Sequence, residues 1–153
     1  MKLVTHSGES WCFQLDQYEA RHLRGLLKKF PISPAVRPEL SKSDDGPGAA
    51  EREKMLKESL AGHRKQLKRL ALDLLGETNW QPSPEGHLLT LTCESREILL
   101  QILNDIRLGC WQALGEPEDL DEPVPSLQMA GPRALMDLAG YFEMNLLDPE
   151  IMI

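Results

Sequence analysis

The stretch from Cys93 to Leu114 constrains the fold more than any other. Placed on a helical wheel, Ile98, Leu99, Leu100, Ile102, Leu103, Ile106, Cys110, Trp111 and Leu114 cover well over half the circumference. A helix coated in this way needs neighbours on most sides. The sequence therefore predicts a mainly α fold: a single domain of about four helices around this central buried helix. Arg107 breaks the coat, falling between Leu103 and Leu114 on one side and Leu100 and Trp111 on the other. A guanidinium keeps its charge, and leaving one buried without its partner costs about 3 to 5 kcal/mol. A carboxylate must therefore meet it. Glu19, near the middle of its own helix's apolar stripe, is the preferred partner, with Glu143 second; Asn104 and Asp105 flank the arginine.

The remaining helices are read from the same periodicity. Asp16-Gln17-Tyr18-Glu19 has the spacing of a capping box, and Ala20, Leu23, Leu26, Leu27 and Phe30 then share one stripe before Pro31 ends the helix. Glu51 to Leu75 reads as a helix about 37 Å long, with Leu56, Leu60, His63, Leu67, Leu70, Ala71 and Leu74 aligned. The last helix runs from Pro132, in its first turn, to about Leu147. Leu3 to His6 and Glu9 to Leu15 flank Ser7-Gly8 as a small N-terminal β-hairpin, and Leu88 to Thr92 offers a third short strand after the proline-punctuated turn "NWQPSPEGH". Residues 31–50 form a Pro/Gly-rich loop and residues 116–131 an acidic, Pro-rich one.

Charge is unevenly distributed. The first 75 residues carry 14 Lys and Arg against 10 Asp and Glu, and the remainder 3 against 14, within a net charge of -7. The halves can answer each other inside one domain, or steer association between copies. No apolar run is long enough to span a membrane, and "MKLVTHSGE" has no signal-peptide core, so a cytoplasmic location is expected. Three widely spaced cysteines point to reduced thiols.

Few motifs carry chemistry. His63 stands at no metal-binding spacing to His6, His22 or His87, so neither metal nor cofactor is expected. No cysteine has a histidine partner in sequence that would mark a nucleophile, and no catalytic residue is assigned. "EPEDLDE" lacks the ligand order of a calcium loop. Arg64, Lys65, Lys68 and Arg69, with Arg21, Arg24, Lys28 and Lys29, make a basic helix face; nucleic-acid binding through it is one reading, and a solvated face in an acidic chain is the favoured one.

Three segments, "FQLDQYEARHLRGLL", "LTLTCESREILLQILNDIRLGCWQALG" and "ALMDLAGYFEMNLLD", together resemble a bacterial family, the domain-of-unknown-function family numbered 2017, familiar from actinobacteria. Leu103-Asn104-Asp105-Ile106-Arg107-Leu108 is the most specific element, and Glu143 occupies the inward acidic position of the last helix. Cys110-Trp111 and the proline-rich linker depart from the family pattern, which implies a distant branch. The resemblance implies a fold and paired charges rather than a reaction. The family's genes often lie beside that of a Clp-protease adaptor, which implies an interaction role.

The functional expectation is a non-catalytic protein-interaction or regulatory module, binding another protein or itself as a homodimer. Met136, Gly140, Met144 and Leu147, with Ile151, Met152 and Ile153, form the expected interface. The alternative is a small-anion-binding protein or enzyme using Arg107, Glu19 and Asp105.

Overall fold

A computed structural model describes residues 1–32, 48–121 and 127–152. The chain runs β1 (Lys2–Ser7), β2 (Ser10–Leu15), α1 (Gln17–Lys29), α2 (Ala49–Leu74), β3 (Trp80–Ser83), β4 (Gly86–Thr92), α3 (Cys93–Ala113) and α4 (Leu127–Leu147). The strands form one antiparallel sheet in the order β1-β2-β4-β3. The fold is therefore α+β, and the expected mainly α domain with a small hairpin is corrected. The difference lies in residues 80–92. Pro82 made the segment read as a turn, but β3 is an edge strand, where a residue without an N–H removes no interior ladder bond. Leu88 to Thr92 is indeed a strand, and it pairs along its length with β2 at the centre of the sheet.

Alternation puts Phe13, Leu15, Trp80, Leu89 and Leu91 on one face of the sheet, all buried. Cys12, Gln14 and Thr90 lie on the other, where Gln14 Nε2 donates to Ser83 Oγ at 2.9 Å. α1 and α3 cover the apolar face; α4 lies along α3 and touches α1, while α2 reaches both α1 and α3. Leu99, Ile102, Leu103, Ile106 and Cys110 of α3 are fully enclosed among these neighbours.

Each half of the chain is a hairpin followed by two helices, and the core repeats in order. Phe13, Leu15, Leu23, Leu26 and Leu27 in the first half correspond to Leu89, Leu91, Leu99, Ile102 and Leu103 in the second, at one constant spacing, all buried. At the matching strand-to-helix junctions both central strands end in a capping box. Asp16 accepts from the Glu19 N–H, and Thr92 from the Ser95 N–H, while each helix's third residue reaches back to the cap. The sheet and its two covering helices are thus close to two-fold symmetric about the β2–β4 pair.

One helix boundary and one buried stripe differ from expectation. α4 begins at Leu127, so Pro132 stands inside the helix rather than in its first turn, and residues 127–131 belong to the helix and not to the acidic loop. On α2 only Leu67, Ala71 and Leu74 are buried; His63 is exposed, because the N-terminal half of this long helix runs past the core.

Candidate functional site

The expected cluster of Arg107, Glu19 and Asp105 does not form. Each charge has a different partner. Arg107 Nη1 donates to Glu143 Oε2 at 2.5 Å, and with 45% of its side chain accessible the arginine is a surface residue. The side chain lies against Gly140 of α4 and runs outward to Glu143. A Cβ built at Gly140 would lie 3.6 Å from Arg107 Nε, an ordinary van der Waals contact, so the arginine packs along the backbone of α4 at this point on its way to the surface. An ion pair this exposed contributes about 0 to 1 kcal/mol. Asp105 instead meets Arg64 of α2 at 3.1 Å, and Asn104 is exposed.

Glu19 is committed elsewhere. Its Oε2 accepts the Asp16 N–H at 2.9 Å, and its Oε1 accepts from the Tyr141 hydroxyl and the N-terminal ammonium of Met1. Burial alone would raise its pKa, but the hydrogen bonds from that ammonium, from Tyr141 and from the Asp16 backbone outweigh burial and hold the carboxyl below its ordinary value. Tyr141 is pushed up to about 12 by burial and then by the Glu19 carboxylate. The residue is partly open to solvent while its hydroxyl is held by Glu19.

The two shifts bound a window of pH. The Glu19 shift stabilises the fold above the carboxyl's ordinary 4.5, and that contribution is lost as pH falls through the lowered native value. The Tyr141 shift stabilises the fold below the phenol's ordinary 10.0 and is lost as pH rises through about 12. Titration of tyrosinate absorbance should show a step near pH 12 in the folded protein, and Tyr141→Phe should remove it. A native tyrosinate step near 10 that Tyr141→Phe abolishes would show that the hydroxyl is not held by Glu19.

Of the expected interface, Met144, Leu147, Ile151 and Met152 are exposed, the first three at 69%, 63% and 67%. Met136 borders the same groove but, at 6% exposure, is mostly buried, because it faces the core on the turn of α4 before Ala139. Gly140 is partly buried against Arg107, and Ile153 lies outside the described residues. Sequence periodicity missed Tyr141 and Leu120, which join Met144 and Leu147 around a groove of about 590 Å³ along α4. Two carboxylates on this face are already matched within the molecule, Glu143 by Arg107 and Asp137 by Arg133 at 3.1 Å.

Among the described residues, no three His, Cys, Asp or Glu side chains converge as metal ligands. Burial pushes the Cys110 thiol above its ordinary value, the opposite of what a nucleophilic thiolate needs. No helix among the described residues is long and apolar enough to cross a membrane. No family model, no curated protein and no solved structure matches the chain.

Proposed function

We propose that the protein is a non-catalytic interaction module of the bacterial cytoplasm, a distant member of domain-of-unknown-function family 2017, and that its first partner is a second copy of itself. The observation that carries this reading is the exposed apolar face of α4, where Tyr141, Met144 and Leu147 border one groove. Exposed apolar residues gathered in one place, rather than scattered, mark contact surfaces, and methionine adapts its shape to a partner.

The charge pattern favours a self-complementary contact. In an isologous pair the same patch meets itself, so unmatched charges would confront their own kind. Here Arg107–Glu143 and Arg133–Asp137 neutralise the middle of the face within each copy. Two copies can therefore close on Met144 and Leu147 with those four charges matched, provided that the Asp148 carboxylate, which also borders the groove, stays at the hydrated rim.

Light scattering across a concentration series should show a mass rising toward twice that of the chain. Met144→Glu with Leu147→Glu should hold it at the single-chain mass, because two desolvated carboxylates would then face two more. A single-chain mass for the wild type at every concentration would overturn the self-association reading, and so would a dimer that the double variant leaves intact.

A further inference from the structure

A second region, sharing no residue with the α4 groove, has the composition of a ligand site. Along one edge of α1, Gln17, Arg21, Arg24 and Lys28 recur at helical spacing, and β3 and β4 supply the facing wall. Between them lies a trough of about 620 Å³ bordered by Arg24, Lys28, Glu77, Trp80, Pro82 and His87. It continues past Gly25 into a second hollow of about 400 Å³ that reaches Arg21. Gly25 has no atom within 4 Å of where a Cβ would stand, so the floor there is open.

Two features, the stacking of Arg24 and the unpartnered ring nitrogen of His87, distinguish this trough from an ordinary basic surface. Among the described residues, Arg21, Arg24 and Lys28 take part in no ion pair, a condition they share with Lys29, Lys65, Lys68 and Arg69, so their charge is available to a ligand but does not by itself mark the trough. Arg24 is pre-positioned by the Trp80 ring, its guanidinium carbon 4.4 Å from the ring centroid, and Trp80 is itself fixed by a 2.8 Å hydrogen bond from Nε1 to the Leu74 carbonyl. Finally, His87 Nδ1 is shut off from solvent without a protein hydrogen-bond partner, an unspent polar group in the wall.

From this we infer that the trough between α1 and the β3–β4 hairpin binds a small organic phosphomonoester. Three side-chain cations against the single carboxylate of Glu77 leave a surplus that suits a dianion, and a phosphate ester carries close to two charges at pH 7. The planar fork of a guanidinium matches phosphate oxygens in pairs, which gives Arg24 the orienting role and Lys28 that of a point charge. Leu75 and Pro82, with the edge of Trp80, supply an apolar wall that inorganic phosphate would leave unused. The volume falls within the range of small-molecule sites, about 300 to 1,000 Å³.

Calorimetric titration of the intact chain with phenyl phosphate at low salt tests the assignment. Binding should saturate at one site per chain and should be tighter than for inorganic phosphate or benzenesulfonate. Arg24→Gln with Lys28→Gln should weaken it at least about tenfold while circular dichroism confirms a native fold. Lys65→Gln with Arg69→Gln, on the same basic side of α2, should leave it within about twofold. Absence of saturable heat overturns the proposal, as does equal weakening by the two pairs of substitutions. Benzenesulfonate or inorganic phosphate binding as tightly as phenyl phosphate overturns the assigned ligand class. A short oligonucleotide that binds more tightly than any of these, with the loss shared by both pairs, overturns it in favour of a nucleic-acid surface.

Discussion

Gly86→Ala is expected to unfold the protein or to cost at least about 4 kcal/mol, close to the whole stability of an ordinary domain. Gly86 opens β4 with φ at 144°, a backbone conformation that side-chain-bearing residues rarely adopt. A Cβ there would stand 2.2 Å from the Leu15 carbonyl oxygen and 2.8 and 2.9 Å from the Asp16 Cα and carbonyl carbon. All three are backbone atoms, so no side chain can rotate away. Relief requires the β3–β4 turn to lift off the end of β2, breaking the Leu15–His87 pairing and shifting the cap of α1. Gly8→Ala is the internal comparison. Gly8 also has positive φ, at 54°, but nothing lies within 4 Å of its absent Cβ, so only the conformational cost of about 1 to 2 kcal/mol applies. Urea midpoints of the two variants check the argument; comparable losses would mean that the turn does not press on the strand end.

This close approach could not be read from the sequence, because it joins residues 15 and 86 through a strand pairing that short apolar runs leave ambiguous. Local signals were legible where the physics is local. The capping box at Asp16 and the burial of one stripe on α1 follow from spacing alone, and so does the hairpin alternation of Trp11, Phe13 and Leu15. β3 was obscured by Pro82, whose tolerance depends on an edge position that only the assembled sheet defines. The two-fold arrangement of the core was hidden too, since its halves share buried positions rather than residue types: Asp16 and Glu19 in one cap, Thr92 and Ser95 in the other.

Arg107 shows the same limit at the candidate site. A wheel drawn for one helix does not show where its neighbours stop covering it: Arg107 lies against the α4 backbone at Gly140 and extends past it to Glu143 at the surface. For Glu19 the sequence showed only half of the answer. A glutamate that closes a capping box has one oxygen turned back to the helix start, and the structure spends the other on Tyr141 and the N-terminal ammonium. Asp105 gave no such signal, because Arg64 arrives from a helix more than 40 positions away.

Phe142→Ala is the second large expected effect, a loss of about 3 to 5 kcal/mol. Phe142 is fully enclosed where α4 packs on α3 and α1, so truncation removes apolar burial and leaves a cavity as well. Two residues further along the same helix, Met144 is mostly exposed, and Met144→Ala should change stability by no more than about 0.5 kcal/mol. The proposed role of α4 depends on this division of its surface, with one face holding the domain together and the other left for a second copy. Urea denaturation at a concentration low enough to keep the chain monomeric measures the first face alone, while scattering at higher concentration measures the second. Met144→Ala should then weaken association without moving the urea midpoint, whereas Phe142→Ala should lower the midpoint at every concentration. If both substitutions lower the monomer's stability alike, Met144 belongs to the core, and α4 has no free face to offer a partner.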